Sequence, residues 1–134
     1  MSRKALISLD VGEKRIGVAI ADTSVRIAIP FDTILVDGSE IHRIAEIVTT
    51  EGAEQIVVGY PRNQNGEPTL QTAYVENFAK QLADIAEIVW RDESLTSVQA
   101  EQQLKDLGYP YSKADIDARA AAIILQDYLE ENYG

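Results

Sequence analysis

The 134-residue chain has no cysteine, one histidine and one tryptophan, and only 12 lysines and arginines against 22 aspartates and glutamates. Without cysteine there are no disulfides, zinc–thiolate sites or thiol nucleophiles, and a reducing compartment fits. The one histidine, His42, falls off the apolar stripe of its predicted helix and reads as solvated rather than catalytic. Long apolar runs are also missing. The run after Arg3 and Lys4 is broken by Asp10 and is too short for a signal peptide or a membrane span, so a soluble cytoplasmic protein with no membrane partner is expected. The formal net charge of −10 argues against a general nucleic-acid coat, because phosphate contacts need lysine and arginine. The deficit is uneven: residues 1–43 carry six basic and six acidic side chains, residues 44–134 six and sixteen. A nucleic acid therefore has one locally basic approach, around Lys4, Lys14, Arg15 and Arg62.

What is present is a 46% hydrophobic chain, enough for one domain, residues 1–134, with its own core. Strands are predicted at 4–9, 15–21 and about 27–35, a helix at about 40–51, and a strand at 55–59. In that helix Ile41, Ile44, Ala45 and Val48 share a face, with Ser39 as N-cap and Gly52 beyond the end. Gln55 to Gly59 is the continuous apolar run of a strand buried on both faces of a parallel sheet. A polar loop, 62–68, leads to an amphipathic helix marked by Val75, Phe78, Ala79 and Leu82, then to a fifth strand, 87–91. Thr96 to Gln99 reads as a capping box for a helix ending at Gly108. The last helix starts at Ser112 with Asp115 as its N3 partner.

Three acids fall at element boundaries: Asp10 after the first strand, Glu93 after the fifth, and Asp117 in the first turns of the last helix. Asp115 is occupied by capping and has Arg119 at i+4. Asp117, two residues on, faces elsewhere and aligns with Ala121, Ile124 and Tyr128 on an inward face. A carboxylate there needs a positive partner. Clustered acids without histidine or cysteine suit Mg²⁺ or Mn²⁺ rather than zinc, and two such ions can support phosphodiester hydrolysis. Lys14 and Arg15, in or beside the turn after Asp10, are placed to meet a phosphate, with Arg62 and Asn63 farther along the backbone and Thr96 counted with them. Each also has an ordinary reading: an Asx turn for Asp10, a solvated loop acid for Glu93, hairpin solubility for Lys14 and Arg15, a surface turn for Arg62 and Asn63.

DVGEKRIGVA (10–19), VVGYPRNQNG (57–66), RDESLTSVQAE (91–101) and DIDARAAAIIL (115–125) together resemble the four signature blocks of the YqgF/RuvX family of pre-16S rRNA nucleases, also named as Holliday junction resolvases. The resemblance implies an α/β, RNase H-like fold: a five-stranded mixed sheet, three antiparallel strands then two parallel ones, with helices on both faces. It implies Asp10, Glu93 and Asp117 as catalytic metal ligands for Mg²⁺ or Mn²⁺, and Lys14 and Arg15 in the nucleic-acid cleft. The implied activity is 5′-end maturation of 16S rRNA precursor in a bacterial cytoplasm. Two departures stand out: Ser94 where members commonly carry arginine, and Tyr60 where they carry leucine. Neither Gly59, Tyr60 nor Pro61 supplies the fourth-strand acid that related junction resolvases use.

The alternatives are a resolvase acting on four-way DNA, a non-catalytic nucleic-acid-binding or ribosome assembly factor, and an ATPase of the actin, hexokinase and chaperone type. The last needs two such domains around its nucleotide, and this chain has the length of one. The nucleic-acid partner is expected to be structured RNA or branched DNA, with the protein a monomer or a homodimer.

Overall fold

The computed structural model describes residues 4–61, 65–93 and 96–133. Its frame is a five-stranded sheet of β1 (Ala5–Val11), β2 (Arg15–Asp22), β3 (Ile29–Leu35), β4 (Ala53–Pro61) and β5 (Glu87–Glu93), in the order β3-β2-β1-β4-β5. β1, β2 and β3 pair antiparallel, and β4 and β5 extend the sheet in parallel. The three-then-two arrangement follows from the connections. A tight turn joins β1 to β2, where the Gly12 N–H donates to the Arg15 carbonyl at 3.0 Å. The parallel strands are reached through helices, as parallel pairing requires.

Side chains alternate between two cores. Ile7, Leu9, Ile16, Val18, Ile56 and Val58 point to the face covered by α1 (Glu40–Glu51) and α2 (Leu70–Lys80), meeting Ile44, Val48, Val75 and Phe78. Leu6, Ala19 and Val57 point to the face covered by α4 (Lys113–Asn132), meeting Ala121, Ile124, Leu125 and Leu129. Burying each of those large aliphatic side chains contributes about 1.5–3 kcal/mol. The alanines of α4 let it lie close to the sheet, and the Ser8 hydroxyl, buried on that face, donates to the Ala121 carbonyl at 2.6 Å. α3 (Thr96–Leu107) packs on α4.

The expected strands and helices are all present, and the differences lie at their ends. β1 and β5 continue through Asp10 and Glu93, so both acids belong to strands rather than to the loops beyond them. β3 begins at Ile29 and breaks register with β2 between Val18 and Ala19. Ser39 does occupy an N-cap position, but its hydroxyl donates to Asp37 instead of capping the helix. Thr96 is the first described residue of α3 and lies inside the helix, not ahead of it. Among the described residues, no helix is long and apolar enough to cross a membrane.

Candidate active site

The alternation that fills the α4-side core also places Asp10 there, two residues beyond Ser8 on β1. Its neighbours on both sides are glycines. Gly17 of β2 is its ladder partner, and Gly59 of β4 follows the Leu9–Val58 pair. Each absence of a side chain is filled by another part of the site. A Cβ at Gly17 would lie 1.9 Å from the Asp117 backbone carbonyl, and one at Gly59 would lie 2.2 Å from Glu93 Oε2. The glycines therefore let the start of α4 and the end of β5 close in on Asp10.

α4 enters in the right register because of its cap. The Ser112 hydroxyl accepts from the Asp115 N–H, and the Asp115 carboxylate accepts from the Ser112 N–H at 2.8 Å. This leaves Asp117, which is separated from Asp115 by about 200° around the helix, pointing back across the sheet. The i+4 pairing of Asp115 with Arg119 does not form: the Asp115 carboxylate serves the cap, and the buried Arg119 Nε has no hydrogen-bond partner among the described residues.

Asp10, Glu93 and Asp117 line one cleft of about 270 Å³, together with Val11, Gly12, Arg15, Gly59, Pro61, Gln71 and Ser97. Burial, followed by the charges of Glu93 and Asp117, pushes the Asp10 pKa up to about 8. Glu93 is also raised by burial, against a hydrogen bond from the Thr96 side chain that stabilises its charged form. Asp117 is held differently: Arg15 Nε donates to its Oδ2 at 2.6 Å. As the side chains stand, no three acidic or imidazole groups among the described residues converge tightly enough to grip one ion. The donor set nonetheless fits a hard cation. It consists of carboxylate oxygens, and its central acid is disfavoured as an anion by burial and by two like-charged neighbours.

The remaining expected residues fall into different places. Arg15 lines the cleft but is engaged by Asp117, whereas Lys14 is exposed on the hairpin turn and does not line it. Thr96 is 5% exposed, and its side chain hydrogen-bonds Glu93. Arg62, Asn63 and Ser94 lie outside the described residues. Tyr60 alternates away from Gly59 and packs edge-on against Trp90, ring centroids 5.2 Å apart, so this departure lies off the cleft face. Gln71, whose amide donates to the Val11 carbonyl at 3.1 Å, and Ser97 join the cleft with no signal in the sequence. Gly17 and Gly59 did carry one: an isolated glycine inside a strand marks a close approach.

The family model described as RuvX: Holliday junction resolvase matches residues 4–131. The chain belongs to the RuvX family. Members similar to it include a Chloroflexus aggregans protein, 44% identical over 97% of this chain and 96% of its own length, and a Caldanaerobacter subterraneus protein, 41% identical over 93% and 95%. Both carry the name "Putative pre-16S rRNA nuclease". This RuvX-family chain also shares its fold with solved structures. Thermus thermophilus RuvC in complex with Holliday junction substrate aligns at a TM-score of 0.60, with 15% identity over 96% of this chain and 94% of that one. A second structure of the same protein aligns at 0.54 over 95% of each chain, with 14% identity. The five-stranded mixed sheet with helices on both faces is thus the RNase H-like fold of RuvC.

Proposed function

We propose that this RuvX-family chain is a divalent-cation-dependent nuclease that hydrolyses phosphodiester bonds in structured RNA, the 16S rRNA precursor being its substrate in the cytoplasm. One observation carries the reading: acids from β1, β5 and α4, far apart in the chain, line a single cleft, brought together because Gly17 and Gly59 let α4 and Glu93 approach Asp10. The relatives' name supplies the substrate. Asp10, Glu93 and Asp117 would hold Mg²⁺ or Mn²⁺. Such ions, when bound, activate water for attack on phosphorus and stabilise the leaving oxygen.

The chain's own groups prepare that chemistry. Gly12 and Gly59 line the cleft, and Gln71 fixes its rim by bonding β1. Thr96 orients the Glu93 carboxylate and favours its charged form. Lys14, exposed on the adjacent turn, meets the flanking backbone; Arg62 and Asn63 contact it farther along.

Holliday junction cleavage is the second reading, favoured by the family description and the RuvC fold. Against it, β4 ends in Gly59-Tyr60-Pro61 and offers no fourth acid. Symmetric cleavage of a four-way junction would also need two clefts, hence two chains. The deciding experiment offers purified protein a precursor rRNA fragment, single-stranded RNA and a four-way DNA junction in parallel, with Mg²⁺ or Mn²⁺. Cleavage of the precursor, lost in Asp10→Asn, is expected. Cleavage of the junction alone would reverse the ranking, and cleavage retained by the variant would remove Asp10 from the mechanism.

A further inference from the structure

Among the described residues lining the cleft, Arg15 is the one cation, and it is committed to Asp117 through a single contact, Nε to Oδ2 at 2.6 Å. The two side chains are 31% and 19% exposed, so both can turn without unpacking the core. Their backbones cannot follow. The Arg15 carbonyl is held by the Gly12 N–H, and the Asp117 carbonyl rests against Gly17. Any change of partner is confined to side-chain rotation.

Resting on the proposed metal-dependent reading, we infer that Arg15 is an exchange residue: it neutralises Asp117 in the metal-free protein, releases that carboxylate to a divalent cation, and turns its guanidinium to a substrate phosphate. Two effects oppose metal binding while the pair is intact. The guanidinium occupies a ligand oxygen, and its charge repels the ion. Drawing it onto a phosphate relieves both, so metal and nucleic acid strengthen each other's binding, by the same factor in each direction. The residue is a positioning group for the metal and a contact for the substrate, and it links the two loading steps.

The test compares wild type with Arg15→Gln and Arg15→Lys, each checked for folding by circular dichroism. Mn²⁺ affinity is measured by titration without nucleic acid. Removing the competing charge tightens Mn²⁺ binding about tenfold in Arg15→Gln, with Arg15→Lys between the two. Binding of a labelled precursor-RNA fragment is then followed by fluorescence anisotropy in EDTA and in Ca²⁺. Wild type and Arg15→Gln should bind alike in EDTA, where Arg15 is occupied, while in Ca²⁺ the variant loses about tenfold relative to wild type. Mn²⁺ binding unchanged or weakened in Arg15→Gln overturns the exchange and leaves the metal site standing. An equal loss of RNA affinity in EDTA and Ca²⁺ also overturns it, because Arg15 would then already be free. Absence of Mn²⁺ binding to every form removes the metal-dependent reading and the exchange together.

Discussion

Gly17 lies across the β1–β2 ladder from Asp10, and the space its side chain would fill is taken by the backbone carbonyl of Asp117. One residue thereby sets how close the last helix comes to the first strand. Gly59 does the same on the other flank, but what fills its space is the Glu93 carboxylate and the Ile124 methyl end. The two glycines should therefore respond differently to the same substitution.

Gly17→Ala drives a methyl into main chain that cannot rotate away, and α4 must lift. Stability should fall by about 3 kcal/mol in urea denaturation, with cleavage lost. Gly59→Ala meets the ends of two side chains, 2.2 and 2.8 Å away, which can turn aside. Its stability cost should be about 1 kcal/mol, yet displacing Glu93 should lower kcat by about a hundredfold. Full activity in Gly59→Ala would take Glu93 out of the chemistry.

The pKa of Asp10 makes metal-free stability depend on pH. Its folded value, about 8, lies above its ordinary 3.8, so between these values the folded state binds more protons than the unfolded one. Stability contributed by the protonated carboxyl is fully present below about 4 and is lost as pH rises through about 8. Asp10→Asn, always neutral, should flatten this part of the slope and raise the melting temperature in EDTA at high pH by about 5 °C, while abolishing cleavage. A melting temperature that falls in the variant would contradict the burial and repulsion around Asp10.

Thr96 contributes its hydroxyl to Glu93 from inside the protein. Thr96→Val keeps the shape and removes the hydrogen bond, leaving burial to raise Glu93 further. The acidic limb of the pH–kcat/KM profile should then shift upward, and Thr96→Ser should restore it. If Thr96 instead contacted RNA, the change would appear in RNA affinity with the pH profile unmoved.

Ligand-induced stabilisation separates the nuclease from a nucleotide-binding ATPase. Mn²⁺ at millimolar concentration should raise the melting temperature, and ATP at the same concentration without metal should leave it unchanged. A rise with ATP alone would favour the ATPase reading.

The fold was legible because its signals are local. Alternating apolar strands, the Ser112–Asp115 cap and the apolar faces of α1 and α2 depend on residues a few positions apart. Asp117 was separable from Asp115 for the same reason, since two steps along a helix reverse direction. Thr96 was misplaced because a Thr-x-x-Gln spacing describes a cap without revealing that the hydroxyl is wanted by Glu93. Gln71 and Ser97 gave no sign, because nothing near them in sequence distinguishes a cleft-lining polar residue from a surface one.

By itself, the sequence determined the elements, their order and the acids at three of their ends, since backbone hydrogen bonding and apolar periodicity are read over short spans of chain. Only the tertiary structure decided that Gly17 and Gly59 flank Asp10, that Thr96 supports Glu93, and that Arg15 is bound to Asp117. Those relationships join residues up to 102 positions apart, and their partners are chosen by which strands lie side by side and how closely a helix can approach them.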